Sequence, residues 1–442
     1  MIKRRQFLQA SAAAAAVVAC PSIVRGRNLN SKLSVAGIGC DGKGWSDIKE
    51  MSDHPQTQMA AFCDIDLART EKVKKLAPDA PVFQDYREML AKLGDKIDAV
   101  TVSTPDHMHA FITLDAMRQG KHVYCQKPLT HNVWEARQVA NQTKKSGVIT
   151  RLGNQIHSHS VYRTGVQVIQ SGTIGKVKEV RSWCAATGHG KSGQISVPKN
   201  PPALPKSVDW DLWIGVAPMR TYGGHNVYHP WGWRDWQDFG NGALGDFGCH
   251  ILDPVFTALK IAAPPTQLKA DHSGMNDQVW AAQTQVDYVF PGTELTTDDT
   301  IKISWDDGGL LPSVRGSHIP GTVALPKSGS IFIGEKGTMV MPHVGPPQLF
   351  PQDQYAADAI EKVESVNHYH GWVDGCLSGE QPSDGFDYGA LLTESVLLGN
   401  IAVRYRTQNL QWDAAAMRFT NNDDANKWLR RDYRTGWNID EV

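Results

Sequence analysis

Gly37, Gly39 and Gly42 form a G-x-G-x-x-G loop directly after the apolar run Leu33–Ile38, and Asp64 follows the last glycine by 64 − 42 = 22 residues. In such a loop the first glycine makes the tight turn, the second lets the backbone approach a pyrophosphate, and the third permits close packing. The helix that follows offers unpaired N–H groups to the phosphates. Gly37, Ile38, Gly39, Asp41 and Gly42 are therefore expected to cradle a dinucleotide. Asp64 ends a second strand, Ala61-Phe62-Cys63-Asp64, where a carboxylate accepts a ribose 2′-hydroxyl and repels a 2′-phosphate. Ile65 stands beside it, where an arginine would favour the phosphorylated form, so NAD is expected over NADP. A second constellation lies far along the chain. Asp246 and His250 are four residues apart, so on a helix they share one face and can form a hydrogen-bonded dyad. A histidine titrating near neutrality can take a hydroxyl proton as hydride leaves the adjoining carbon, with the carboxylate orienting the imidazole.

Alternating strands and helices must hold these groups. Over residues 31–153, apolar runs at Leu33–Ile38, Met59–Cys63, Pro81–Phe83, Ile97–Ser103, His122–Cys125 and Val148–Leu152 are separated by stretches with helical periodicity. That pattern predicts an α/β Rossmann domain with a doubly wound parallel sheet. From 154 to 410 the texture becomes less regular. Strand-like runs at Val177–Ala186, Thr284–Phe290, Thr300–Ser304 and Thr338–Met341, with helices near Gly242–Lys260, His370–Leu377 and Ala390–Arg404, predict a C-terminal α+β domain. Its sheet is expected to be largely antiparallel and open-faced, with a Pro- and Trp-rich insertion over 188–238. Residues 411–442, with Trp412, Trp428, Tyr433 and Trp437 among charges, are expected to be an arm packed on another surface, with Trp428 and Trp437 helping to cover the cleft.

With 442 residues the chain exceeds what one hydrophobic core usually serves. Lys+Arg 45 against Asp+Glu 46, interspersed along the chain, leaves no basic stripe for a nucleic acid. Residues 1–26 read as a targeting segment: Lys3-Arg4-Arg5-Gln6-Phe7-Leu8, then a small apolar run, then Pro21. Paired arginines before Phe-Leu are similar to the twin-arginine address for proteins exported already folded, which places the expectation in the periplasm or cell envelope. Val17-Val18-Ala19-Cys20 also resembles a lipoprotein box, with Cys20 as the anchor. The other cysteines, Cys40, Cys63, Cys125, Cys184, Cys249 and Cys376, show no C-x-x-C pair and are expected to be buried thiols. No histidine cluster has the spacing of a zinc quartet, so no metal is expected.

Two further motifs narrow the reading. Thr104-Pro105-Asp106-His107-Met108-His109 ends the fourth strand, and Gly120-Lys121-His122-Val123-Tyr124-Cys125-Gln126-Lys127-Pro128 spans the fifth. With the glycine loop and Gly242-Ala243-Leu244-Gly245-Asp246-Phe247-Gly248-Cys249-His250, they resemble the Gfo/Idh/MocA oxidoreductases over nearly the whole chain after the signal. The resemblance implies catalytic roles for Lys127, Asp246 and His250, with the lysine steadying a developing oxyanion. It also implies cofactor contacts from Thr104, Pro105, His109, Gln126 and Lys127, and a homo-oligomer. Gln126 departs from the family's usual glutamate, keeping a hydrogen-bonding side chain and losing the charge. The 246 − 127 = 119 residues between Lys127 and Asp246 exceed the usual spacing, so substrate choice does not transfer.

Aromatics crowd the insertion: Trp210, Trp213, Tyr222, Tyr228, Trp231, Trp233 and Trp236, with Arg234 among them. Aromatic faces stack on sugar C–H faces while cations bind hydroxyls, although about half of these rings are expected to serve packing. Trp233 and Arg234, together with Asn154, Gln155 and His157 after the sixth strand, are the candidate substrate residues. The function expected is NAD-dependent hydride transfer at a hydroxyl of a sugar, sugar acid or cyclitol, with the cofactor retained. An NAD-dependent glycosidase working by transient oxidation and elimination, and a non-catalytic sugar-binding protein of the same fold, are the alternatives.

Overall fold

The computed structural model describes residues 32–188, 190–355 and 360–440. The expected signal segment and Cys20 lie outside them.

The first half is a six-stranded parallel sheet in the order β3-β2-β1-β4-β5-β6. Its elements run β1 (Leu33–Ile38), α1 (Lys43–Ser52), β2 (Thr57–Cys63), α2 (Glu71–Leu76), β3 (Val82–Phe83), α3 (Tyr86–Leu93), β4 (Ala99–Val102), α4 (Asp106–Arg118), β5 (His122–Gln126), α5 (Val133–Ser146) and β6 (Thr150–Gly153). All six residues of β1 are buried, as a central parallel strand covered on both faces requires. Strand order reverses between β1 and β4, which pair in register from Val35 opposite Ala99, and this opens a crevice at their carboxyl ends. Helix starts are set locally. Asn132 and Glu135 form a reciprocal capping box on α5, and the Asp85 side chain accepts the Arg87 N–H at the start of α3.

The second half adds α6 (Ser160–Gln170), β7 (Val177–Trp183), α7 (Trp210–Ile214), α8 (Gly242–Leu259), β8 (Gln267–His272), β9 (Thr284–Pro291), β10 (Thr300–Asp306), β11 (Gly329–Gly334), β12 (Thr338–Pro342), β13 (Gln348–Phe350), α9 (His368–Ser378), α10 (Phe386–Arg404), β14 (Asn409–Asp413) and β15 (Arg418–Phe419). Its sheet has the order β13-β12-β11-β7-β10-β9-β8-β14-β15. Only β7 and β10 pair in parallel, so the sheet is mixed. Alternation along β9 turns Val286, Tyr288 and Phe290 inward, where Tyr288 and Phe290 join the core containing Val255 and Phe256 of α8 and Leu397 of α10. On the opposite face Trp183, Ile331 and Ile333 are covered by Ile319, with Val314, Val323 and Leu325 packed against them. The remainder of that face carries Lys269, Asp287 and Lys302. The six cysteines among the described residues are buried, and no disulfide joins them.

The insertion docks on the first half instead of standing apart. Leu67 N–H donates to the Ser207 carbonyl at 3.0 Å and Asp209 N–H to the Ile65 carbonyl at 2.9 Å. His229 Nε2 lies 3.1 Å from Asp66 Oδ2. These contacts carry the aromatic cluster of Trp213, Tyr228, Trp236 and Phe239 over the end of β2.

Candidate functional site

A continuous cleft with a cavity of 340 Å³ runs from the glycine loop to α8. At one end lie Gly39, Asp41, Gly42, Asp64 and Ile65; at the other lie Lys127, Asp246 and His250. Each glycine has its own reason. A Cβ on Gly37 would meet Ile48 at 2.5 Å, and one on Gly39, at φ 86°, would meet the Ser103 carbonyl at 2.5 Å. Gly42 has φ 57°, and a Cβ there would meet only Arg69 at 3.9 Å, an ordinary contact, so it serves the turn and not close packing. The packing role falls to Gly44, where a Cβ would lie 2.1 Å from the Gly39 carbonyl oxygen.

Asp64 accepts the Cys40 N–H at 2.8 Å and the Asp66 N–H at 3.0 Å. Burial raises its carboxyl to about 6 against these hydrogen bonds and the nearby Arg69. Asp41 at this end engages two cations, Arg69 at 3.0 Å and Lys72 at 2.8 Å.

At the reacting end, Lys127 at the end of β5 donates to Asp246 Oδ1 at 2.7 Å and to the Asp246 carbonyl. Arg234 Nε lies 3.5 Å from the same Oδ1, and Lys191 Nζ 3.6 Å from Oδ2. Burial alone would raise the Asp246 carboxyl, yet Lys127, then Arg234 and Lys191, hold it well below the ordinary range. The expected Asp246–His250 hydrogen bond is absent. The two share a face of α8, but neighbouring strands supply nearer partners: Lys127 takes Asp246, and Asn154, just after β6, takes His250 Nδ1.

That exchange settles the histidine's tautomer. Asn154 Nδ2 donates to the Cys249 carbonyl at 2.9 Å and to Asp253 Oδ2 at 2.7 Å, so its Oδ1 is the atom turned to His250. Nδ1 of His250 must carry the proton, leaving the Nε2 lone pair free to accept one. Asp253, fully buried, is held by Tyr162 at 2.7 Å, by His157 Nδ1 at 3.0 Å and by Tyr388. Burial, then Lys127 and His343, push the His250 imidazole well below its usual range against the pull of Asp246, so it rests neutral.

Asn154 and His157, both expected to face substrate, are instead buried members of this network. Gln155, Trp233 and Arg234 do line the cleft. Thr104, Pro105 and His109 line it as well. His109 points both ring nitrogens at carbonyl oxygens, Pro128 and Thr104, each at 2.8 Å, and so ties the β4 loop to the β5 loop. Burial lowers the His109 pKa, but Cys125 and the two carbonyls outweigh it and leave it raised. Of the tryptophans, Trp213, Trp233 and Trp236 are buried, and Trp231 is 48% exposed.

Besides Gly44, three features escaped the sequence reading. Asp47, fully buried on α1, accepts from Gln126 Nε2 and Ser103 Oγ, both at 2.8 Å, and from Lys43. Asp106 lies in the cleft with Asn241 Nδ2 at 3.1 Å, and burial raises it to about 7 against Lys127 and Arg234, with Asp246 adding to the rise. Lys191 comes from the insertion. Trp437, one of the two arm tryptophans expected to cover the cleft, lines it beyond Tyr86, with the Arg87 guanidinium 4.3 Å over its ring. Only Asp47 had a local signal, its i, i+4 spacing from Lys43.

Residues 33–154 match the oxidoreductase family with an NAD-binding Rossmann fold (GFO_IDH_MocA), and residues 166–300 match the C-terminal alpha/beta domain of the same oxidoreductase family. The chain is 27% identical to an uncharacterised oxidoreductase of Synechocystis over 50% of each protein. It is 29% identical to an alpha-N-acetylgalactosaminidase of Shewanella oneidensis over 33% of this chain and 38% of the relative. The matched region thus spans half or less of these curated relatives. A crystal structure of an aldose-aldose oxidoreductase from Caulobacter crescentus, complexed with glycerol, superposes with a TM-score of 0.57 at 16% identity, covering 86% of this chain and all of that one, a likeness of fold.

Proposed function

The chain belongs to the Gfo/Idh/MocA oxidoreductase family, with an NAD-binding Rossmann domain, and from that premise we propose that it moves hydride between a bound NAD and a hydroxyl-bearing carbon of a carbohydrate or cyclitol. The observation that carries this reading is the single cleft joining the glycine loop to a neutral histidine with a free Nε2. Gly39, Gly42 and Asp64 would hold the dinucleotide's phosphates and ribose, and NAD supplies the hydride acceptor when bound. His250 Nε2 takes the substrate hydroxyl proton. Lys127, fixed by Asp246, faces the oxygen on which charge develops. The named glycosidase relative supports a second reading in which the same base and the same hydride step serve transient oxidation, elimination and re-reduction. Turnover of a sugar panel tests the proposal: net oxidised product supports the first reading, released aglycone without net NADH the second, and no turnover of any sugar rejects both.

Asp64 supports a preference for NAD. It lines the cleft beside the glycine loop, where it would meet the ribose, and Asp41 already engages Arg69 and Lys72, cations a 2′-phosphate would need. Calorimetric titration of dinucleotide-free protein is expected to give NAD about tenfold or more over NADP. Because Asp64 titrates near 6, NAD affinity should rise as pH climbs from about 5 to about 7, where the carboxylate ionises and accepts the ribose hydroxyl. Tighter NADP binding would reject the assignment.

Retention of the cofactor is supported by the arm and the insertion. Arg434 donates to the Gly215 carbonyl at 2.8 Å and pairs with Asp211, and Arg118 donates to the Ile439 carbonyl at 2.8 Å, so both sides of Trp437 are pinned. Trp428, expected to share that task, lies against Arg404 and does not line the cleft. The residues 1–26 support export in folded form, to a compartment where free NAD is scarce.

A further inference from the structure

The insertion brings to the substrate end of the cleft two cations, Arg234 and Lys191, that no carboxylate takes at hydrogen-bond distance. Three cations and three carboxyl groups meet there: Lys127, Lys191 and Arg234 with Asp246, Asp106 and Asp235. Asp235 lies beneath, where its Oδ2 accepts the Lys191 and Ser192 backbone N–H groups at 2.9 and 2.5 Å and so fixes the loop that carries Lys191. Lys127 takes Asp246 at hydrogen-bond distance, whereas Arg234 and Lys191 reach it only at 3.5 and 3.6 Å. Arg234 Nε is buried and has no hydrogen-bond partner.

The shape of the cation is as informative as its charge. The Arg234 guanidinium carbon lies 4.1 Å from the ring centre of Trp231 and 4.2 Å from that of Trp233. Arg234 Nη1 donates to the Trp231 carbonyl at 3.2 Å, so with indoles against the group a ligand is left the in-plane donors that face away from that carbonyl, an approach that suits the coplanar oxygens of a carboxylate. Lys191 stands over Trp231 at 5.0 Å and Phe247 at 5.6 Å, on the same exposed aromatic wall. That wall, with Trp231 half exposed, is a platform for the C–H face of a sugar ring.

We propose that Arg234 and Lys191 form a carboxylate subsite and that the substrate is a sugar acid, its ring on Trp231 and its reacting hydroxyl at His250 and Lys127. The inference rests on the carbohydrate reading above and narrows it. The subsite lies in the insertion, so it selects substrate without altering the dinucleotide end.

Calorimetric titration of the NAD-loaded protein with D-glucuronate, D-galacturonate and D-gluconate, beside D-glucose, D-galactose, myo-inositol and glucose 6-phosphate, tests it. At least one acid should bind about tenfold or more tightly than its neutral counterpart and than the phosphate. Arg234→Gln and Lys191→Gln should each erase most of that advantage, and Arg234→Lys should restore only part of it, because the charge returns without the planar fork. NADH fluorescence titration of each variant reports whether the fold survives; Lys191→Gln, at a partly exposed side chain, guards against a collapsed Arg234 variant. Equal binding of acids and neutral sugars, tighter binding of the phosphate, or an acid preference that survives in both glutamine variants would overturn the subsite. Neutral sugars binding alone would remove this inference and leave the carbohydrate reading standing, whereas no binding across the whole panel would remove both.

Discussion

His250→Ala is expected to lower turnover by about two orders of magnitude or more while leaving dinucleotide affinity unchanged within about twofold. Asn154 holds the Nδ1 proton, so Nε2 is the one free basic atom of that ring, and burial beside Lys127 and His343 keeps it unprotonated. Alanine leaves the hydroxyl proton without an acceptor at the start of hydride transfer. Lys127→Ala should cost as much, because it removes the cation nearest the developing oxyanion and leaves Asp246 with partners at 3.5 and 3.6 Å. Asp246→Asn should cost less than either, since an amide oxygen still accepts from Lys127. Steady-state kinetics with the best sugar of the panel, beside NADH titration of each variant, measures all three. Near-normal turnover in an alanine variant would remove that residue from the chemistry.

Gln126→Glu is expected to destabilise the protein by about 3 kcal/mol near pH 8, the equivalent of roughly two pKa units for one carboxyl. The Gln126 amide donates to Asp47 Oδ2 at 2.8 Å in a buried setting, against the Gly153 backbone, where a Cβ would lie 2.7 Å from the amide nitrogen. Two carboxylates at that distance cannot both ionise with Lys43 as the cation between them. One stays protonated in the folded state and ionises freely in the unfolded one, so its folded pKa is raised. The folded form then binds more protons, and stability falls as pH rises from the ordinary glutamate range through that raised value. Urea unfolding should therefore show a small penalty near about pH 4 and the full one near about pH 8. Asp47→Asn in the same chain should restore most of the loss. A glutamate that is neutral to stability at both pH values would show that Asp47 does not govern this position.

The departure from the family's Glu-Lys-Pro thus has a local cause. The charge is not missing from the site; it sits on Asp47, one helix turn after Lys43, and reaches the same place from α1.

What could be read from the chain and what could not divides along sequence separation. The glycine loop, Asp64 and the strand–helix alternation are local patterns, and the parallel sheet follows from them. The four-residue spacing of Asp246 and His250 correctly gave a shared helix face and nothing about what faces it. Their partners arrive from 119 and 96 residues away, at the ends of β5 and β6. Gly44 escaped because the glycine motif ends at Gly42, while the close approach occurs one step into α1, against Gly39. Asn154 and His157 sit after β6 as expected, but the buried Asp253 on α8 draws both inward. In the arm, Trp412 enters a strand, β14, beside β8, and only the last aromatic, Trp437, reaches the cleft. Aromatic content alone does not say which ring packs and which lines a site.

The most direct test of the account follows the hydride itself. Protein purified without added dinucleotide is incubated with a carbon-deuterated sugar from the panel, denatured, and its released dinucleotide weighed by mass spectrometry. Near-stoichiometric NAD per chain, gaining one deuterium on the nicotinamide and losing it when a second sugar is supplied, is the result predicted for a retained cofactor cycled within the cleft. Protein that emerges empty, turns over only with excess free NAD and accumulates NADH would contradict retention, and bound sugar with no deuterium on the nicotinamide would contradict the hydride transfer at the centre of the account.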